Sequence, residues 1–394
     1  MKSRYFIALA SFCFFVSAGH SQEPADPGLS VHEWGTFTSI AGAKGEAVVW
    51  SPQIERDDLP SFVEHLGNSR TKGGLQGSVR LETPVLYFHA TRPTTVSVHV
   101  SFAQGLLTEW YPRATTPLTP RQLTEPIVDL RSTKGELFWN SVSVTPNDRQ
   151  NFPKENAASR YYVARETSAA SLTISSRTSS QHEKFLFYRG VSSFDVPVSA
   201  APLNDGRILV ANRAQTAIPQ AILFERRGQR LGYRVLGPVR NSSIVAAPEL
   251  TADINSLSRD LEKILVEQGL FRDEARAMLQ TWNDSWFEEG ARLFYIVPRS
   301  FVDTILPLNI KPAPRETTRV FVGRMEVVTP STERAIETAF ATGDQATLAK
   351  YGRFLAPMLQ VMITRSPDRA HTAQLQKYLD TAYRQLYALI QNGG

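Results

Sequence analysis

The chain has 394 residues, with 43 basic and 38 acidic side chains, a formal net charge of +5 at pH 7 and a single cysteine. So mild and evenly spread a charge argues against nucleic acid or an anionic membrane as partner, and one cysteine excludes an internal disulfide. Stability must rest on a hydrophobic core, for which this length suffices as one large or two ordinary domains.

The first residues read as an export signal. Lys2 and Arg4 precede an apolar run from Tyr5 to Ala18, and Gly19 and Ser21 are the small residues expected at −3 and −1 of a cut before Gln22. A lipoprotein signal is excluded because Phe12 stands before Cys13, where a small residue is required. Cleavage after residue 21 removes the cysteine, Lys2 and Arg4, leaving 41 basic against 38 acidic residues. The mature chain is therefore expected to be periplasmic or secreted, with no membrane span.

Residues 22–30 (QEPADPGLS) read as a flexible leader. From Val31 to Val245 the apolar period is mostly two. Thr95 to Phe102 is the clearest strand, with Val96, Val98, Val100 and Phe102 on one face and Ser97, His99 and Ser101 on the other. Shorter strand-like runs occur at 81–88, 137–144, 161–166, 172–176, 185–189 and 207–211. Residues 221–236 read as a hairpin turning at Gly228, and the four prolines within 111–126 as a long loop.

After residue 245 the period becomes helical. Ile254, Leu257, Leu261, Ile264 and Leu265 form one stripe, ended by Gly269, and Ala275, Met278, Leu279 and Trp282 form another. Strands are expected at 293–297 and 319–328. Thr329-Pro330, Asp344 and Ser366-Pro367 then mark three helix starts in a small antiparallel group. The expected fold is α+β: an antiparallel β-sandwich-like part over 31–245, and a helix-rich part over 246–394 packed on it, whose two strands could share the sheet.

Several segments, among them VHEWGTFTSI (31–40), LETPVLYF (81–88), GLLTEWYP (105–112), YYVARET (161–167), EKFLFYRG (183–190), ILFERRG (222–228), WFEEGARLFYIVPR (286–299) and RVFVGRMEVVTP (319–330), extend over nearly the whole mature chain. In them the chain resembles a family of secreted, uncharacterised bacterial proteins with an HEWGTFT motif near the mature N-terminus. The resemblance implies export and one shared architecture; it carries no catalytic role.

Candidate chemistry begins with Glu33. In a regular strand Val31, Glu33 and Phe37 share a face, and Glu82 would likewise share one with Leu86 and Phe88. Two carboxylates flanking a cleft are the minimal equipment for glycosidic hydrolysis; the plainer alternative is that both sit in arginine pairs. His32, on the opposite face from Glu33, is a candidate base or metal ligand. The histidines show no HExxH and no helical pair, so a helix-borne zinc site is not expected, while a site from scattered His and carboxylates stays open. His99 and His371 read as surface residues.

Arg165 and Arg189 sit in or beside apolar runs, where arginines hold an anionic or polyhydroxylated ligand or else pin sheet register; Arg324 and Glu326 fit the second use better. Trp34 and Trp110 are candidate stacking platforms, although tryptophan in β-rich chains is more often core. Ser69-Arg70-Thr71-Lys72 matches S-x-x-K without its companion motifs and reads as a loop. Two functions follow. One is an exported hydrolase of an envelope or extracellular, glycan-like polymer with Glu33, Glu82 and His32 as its acid/base groups; the other is a non-enzymatic envelope protein binding a glycan or a protein. No cofactor is expected. Glu33 and Glu82 converging in an open cleft favours the enzyme, and their closure into buried ion pairs favours the binder.

Overall fold

The computed structural model describes residues 26–52, 58–66, 75–118, 128–148 and 150–391. The expected signal at 1–21, residues 22–25 of the leader and the S-x-x-K segment lie outside these. The leader is shorter than expected, because Asp26 to Ser30 already belong to the first strand. In chain order the strands are β1 (Asp26–Ile40), β2 (Glu64–His65), β3 (Val79–Ala90), β4 (Thr94–Ala103), β5 (Gly105–Tyr111), β6 (Lys134–Thr145), β7 (Ser171–Ser175), β8 (Ser180–Glu183) and β9 (Leu186–Ser192). They continue as β10 (Val198–Pro202), β11 (Ile208–Asn212), β12 (Ala221–Arg227), β13 (Arg230–Leu236), β14 (Ser242–Val245), β15 (Gly290–Ile296), β16 (Leu308–Lys311) and β17 (Pro314–Val327).

Fourteen strands form one sheet whose main path is β13-β12-β15-β17-β1-β3-β9-β5-β6-β4-β16, and β10, β11 and β14 form a small second sheet. Pairing is antiparallel apart from β1 with β17 and one β5–β6 rung. Because β15 and β17 lie between β12 and β1, the regions before and after residue 245 share this sheet. The chain is thus α+β, with a large, mostly antiparallel sheet and its α-helices after residue 250 among the described residues. None of those helices is long and apolar enough to cross a membrane.

β1 divides two cores, as period-two alternation allows. Val31 and Phe37 pack with the valines of β4 and with the small sheet, while Trp34 packs with Leu265 and Trp282 from the helices. One irregularity in β3 overrides that alternation. Glu33 pairs with Leu86 and Trp34 with Val85, but Thr36 pairs with Glu82, so β3 carries one extra residue. The bulge falls at Thr83, whose φ of 46° lies in the left-handed region that a β-branched residue enters only when its surroundings impose it.

The extra residue reverses the parity of β3. Glu82 leaves the face of Leu86 and Phe88 and joins that of Trp34 and Thr36, while Glu33 stays with Val31 and Phe37. The expected Glu33/Glu82 pair is corrected accordingly: the two carboxylates lie on opposite sides of the sheet, and no single cleft holds both.

A second correction concerns 161–166. This run forms a 3-10 helix, Arg160–Arg165, whose Ser159 hydroxyl accepts from the Tyr161 N–H at 3.2 Å. The coiling brings Tyr161 and Arg165 onto one buried carboxylate, Glu183.

The helices are α1 (Ile254–Glu267), α2 (Arg272–Trp286), α3 (Arg299–Ile305), α4 (Pro330–Thr342), α5 (Gln345–Ala349), α6 (Leu355–Arg365) and α7 (Arg369–Gln391). Thr329 and Asp344 cap α4 and α5 as their spacing predicts. Ser366 instead ends α6, and the Asp368 carboxylate accepts from the His371 N–H at 2.9 Å in the first turn of α7. A carboxylate serves that role at least as well as a hydroxyl.

Gly323 shows how tightly the sheet centre is closed. The Tyr295 ring of β15 crosses its Cα so closely that an added Cβ would stand 2.0 Å from the ring. Gly323→Ala should therefore lower stability by about 1–3 kcal/mol, the usual cost of forcing atoms into a packed core. An unchanged urea midpoint would show that the ring can move aside.

Candidate metal centre

The residues singled out from the sequence are mostly engaged. Glu33 is fully buried, accepting from the Tyr188 hydroxyl and, at 2.5 Å, from Arg319 Nε. Glu82 accepts from Arg353 Nη2 at 2.6 Å. Burial pushes its carboxyl up, but Arg353 and Arg80 outweigh that and hold it down at about 2. Neither is an accessible acid, which corrects the catalytic expectation for both.

Arg165 is bidentate to Glu183 at 2.8 and 2.6 Å, and Arg189 to Asp58 at 2.7 and 3.0 Å. Both forks already hold a protein carboxylate, so as free ligand-binding arginines they too are corrected. Trp34 and Trp110 are buried in separate cores and cannot serve as platforms for a polymer.

His32 has a different fate. It points to the α2 side of the sheet, as strand alternation requires. His89, near the end of β3, lies one diagonal step away on the same face, since Ser30 pairs with His89 and His32 with Tyr87. The two imidazole centroids are 5.0 Å apart. Glu274 reaches them from the third residue of α2: His32 Nδ1 lies 2.8 Å from Oε2, and His89 Nε2 lies 2.8 Å from Oε1. Phe271 covers both rings at 4.5 and 4.8 Å while remaining 45% exposed.

Why Glu274 sits there follows from the helix start. Phe271 has no side chain that can cap, so the Glu274 carboxylate turns back and accepts from the Phe271 N–H at 2.8 Å. The positive end of α2 adds a modest stabilisation of its charge. Burial raises the Glu274 carboxyl, but the hydrogen bonds from His32 and His89 outweigh it, and it stays below the ordinary glutamate range.

The charge balance makes this carboxylate unusual. Glu33, Glu82, Glu183, Glu225 and Glu326 are buried, and each meets an arginine, whereas buried Glu109 accepts from the Thr108 hydroxyl with His65 Nδ1 3.9 Å away. Glu274 is also buried, and its charged partners among the described residues are two imidazoles. A buried carboxylate without a compensating cation is costly.

A divalent transition metal satisfies this arrangement. One donor atom from each of His32, His89 and Glu274 falls within 4.8 Å of the others. Ligands at ~2.0–2.2 Å around a tetrahedral zinc lie ~3.3 Å apart, so the 2.8 Å contacts, made by different oxygens of Glu274, would open while the overall spread of up to 4.8 Å would close. Each imidazole nitrogen facing the carboxylate now shares a proton with it, and a metal would replace those protons. Two nitrogens and a carboxylate oxygen suit zinc and other late first-row metals.

Sequence reasoning did not find His89 or Glu274. His89 follows directly on the 81–88 strand run, and Glu274 stands 242 residues beyond His32, where no local spacing connects them. No protein-family model matches the chain, and no curated protein matches it either.

Proposed function

We propose that this is an exported envelope or extracellular protein whose His32, His89 and Glu274 hold a divalent transition metal, zinc by donor chemistry, and that it acts by binding an extracellular polymer or partner. The observation that carries the metal reading is Glu274, buried and met by two imidazoles at 2.8 Å each, where Glu33, Glu82, Glu183, Glu225 and Glu326 meet arginine. Binding is favoured over carboxylate-pair hydrolysis because Glu33 and Glu82 close into buried ion pairs on opposite sheet faces. Export rests on the Lys2/Arg4 segment and the apolar run behind it.

A second reading has a specific observation behind it. Three protein ligands are the complement of a catalytic zinc, a class of site that keeps its fourth position for water or substrate. A zinc held there would supply a Lewis acid and lower the pKa of a bound water, which is the chemistry of metal-assisted hydrolysis. On that reading His32 is a ligand and not a base.

Native mass spectrometry of the exported protein reads both parts of the proposal. The expected mass begins at or near Gln22 and includes one zinc per chain. His89→Ala should remove the metal while leaving a folded protein, since His89 is the most accessible of the three ligands. A protein that arrives metal-free, and takes up neither zinc nor cobalt in titration, would end the metal reading.

A further inference from the structure

A cavity of about 270 Å³ opens between α3, β16 and the first residues of β17. It lies just under the lower bound of small-molecule sites, ~300 Å³, so its occupant is small. One side of the wall is apolar, formed by Leu308 and Ile310 of β16 and by Ala313 and Pro314 where the chain turns into β17. The other side carries Arg299, Asp303 and Arg319.

These three charges are fixed before any ligand arrives. Arg299 and Asp303 stand one turn apart on α3, with Arg299 Nε 2.7 Å from Asp303 Oδ2. Arg299 Nη1 donates to the Thr317 carbonyl at 2.7 Å, and Arg319 Nη1 to Asp303 Oδ1 at 2.9 Å. Glu33 holds Arg319 from behind. The Arg319 side chain is 1% exposed and supports the wall from within, whereas Arg299 and Asp303, at 44% and 45%, can be reached. Among the described residues, Arg299 Nη2 makes no hydrogen bond and Asp303 Oδ2 accepts from Arg299 alone.

The wall is electrically balanced, with Arg299 and Arg319 set against Asp303 and the Glu33 behind it. Lys311, Arg315 and Glu316 flank it in sequence, but none of them lines it, and all three are exposed to screening by salt. Lys311 belongs to a separate depression with Ser97 and His99.

We infer that this cavity binds a free α-amino acid with an apolar side chain. A simple anion gains Arg299 but meets the Asp303 carboxylate beside it, and a simple cation meets the reverse. A zwitterion answers both: its carboxylate accepts from Arg299 Nη2 and its ammonium donates to Asp303 Oδ2, with neither protein ion pair broken. Its side chain then lies against Leu308, Ile310, Ala313 and Pro314, removing apolar surface from water. A neutral polyol would meet the same donors and acceptors but bring hydroxyls against that apolar side. Glu33 and Arg319 pair across β1 and β17 on the face opposite His32, so this cavity and the metal centre lie on different sides of β1.

The inference goes beyond the polymer or partner binding proposed above and is independent of the metal. The test is calorimetric titration of the full mature protein with L-leucine, N-acetyl-L-leucine, which lacks the ammonium, and L-leucinamide, which lacks the carboxylate. One L-leucine per chain is expected, with both analogues weaker by tenfold or more. Arg299→Gln and Asp303→Asn should each weaken L-leucine tenfold or more. Asp303 also holds Arg319, so if Asp303→Asn melts early, Arg299→Gln, whose ion pair is half exposed, decides the result. Binding should survive EDTA. The inference is overturned if L-leucine does not bind, if either analogue binds as tightly, if Arg299→Gln binds normally, or if EDTA abolishes binding. Metal content is read separately, so the cavity and the metal centre can fail independently.

Discussion

Glu33→Gln should lower the stability of the folded protein by about 3–5 kcal/mol, the cost of leaving one member of a buried ion pair without its partner. The amide can still accept from Tyr188, but it cannot neutralise Arg319, whose side chain is 1% exposed. Asp303 also meets this guanidinium at 2.9 Å, yet it is half in solvent and shared with Arg299, so it replaces Glu33 only in part. Urea unfolding of the mature variant measures the difference directly, provided the slope is unchanged. A loss below about 1 kcal/mol would mean the pair behaves like an exposed one, whose median worth is ~0–1 kcal/mol. Arg319→Met in the Glu33→Leu background should recover part of the loss, because replacing both partners by apolar groups removes the unanswered charge.

Acid should destabilise the protein through Glu82 over a defined window. Arg353 and Arg80 hold the folded-state carboxyl at about 2, against an ordinary value of 4.5. A depressed carboxylate pKa contributes stability above the unfolded-state value, and that contribution is lost as pH falls through the folded-state value. It should therefore be complete above roughly pH 5 and fade between pH 4.5 and about 2. The shift corresponds to roughly 3 kcal/mol at 1.36 kcal/mol per pH unit. Glu82→Gln removes this group, so its stability should lie below that of the parent at pH 6 and fall less steeply toward pH 2.5. Thermal unfolding of both proteins across that range checks the sign. Parallel curves would show that Glu82 does not titrate as its arginine neighbours require.

Much of the element order was legible because local periods reveal local structure. The alternating valines of β4, the hairpin turning at Gly228, the apolar stripe of α1 and the Thr329 cap each depend on residues a few positions apart. Trp282 and Trp286 likewise follow helical spacing into the core, where their rings stack 6.4 Å apart. The segment 161–166 misled because Tyr-Tyr-Val looks strand-like, whereas its coiling is set by Glu183 lying below it in space.

The candidate site was legible only in part. His32 was visible as a polar residue on a strand facing away from Glu33, and that orientation holds. Its partners were not, since His89 and Glu274 stand 185 residues apart and meet only when α2 docks its N-terminus on β1 and β3. The sequence by itself determined the α+β order of elements, the absence of an internal disulfide and which residues alternate along each regular strand. Tertiary structure alone decided that Glu82 faces away from Glu33, because one extra residue at Thr83 reverses a period-two pattern and is fixed by the register of neighbouring strands. It alone also decided which buried carboxylates meet arginine and which one meets two imidazoles, because charge pairing follows distance in space and local periodicity carries no record of it.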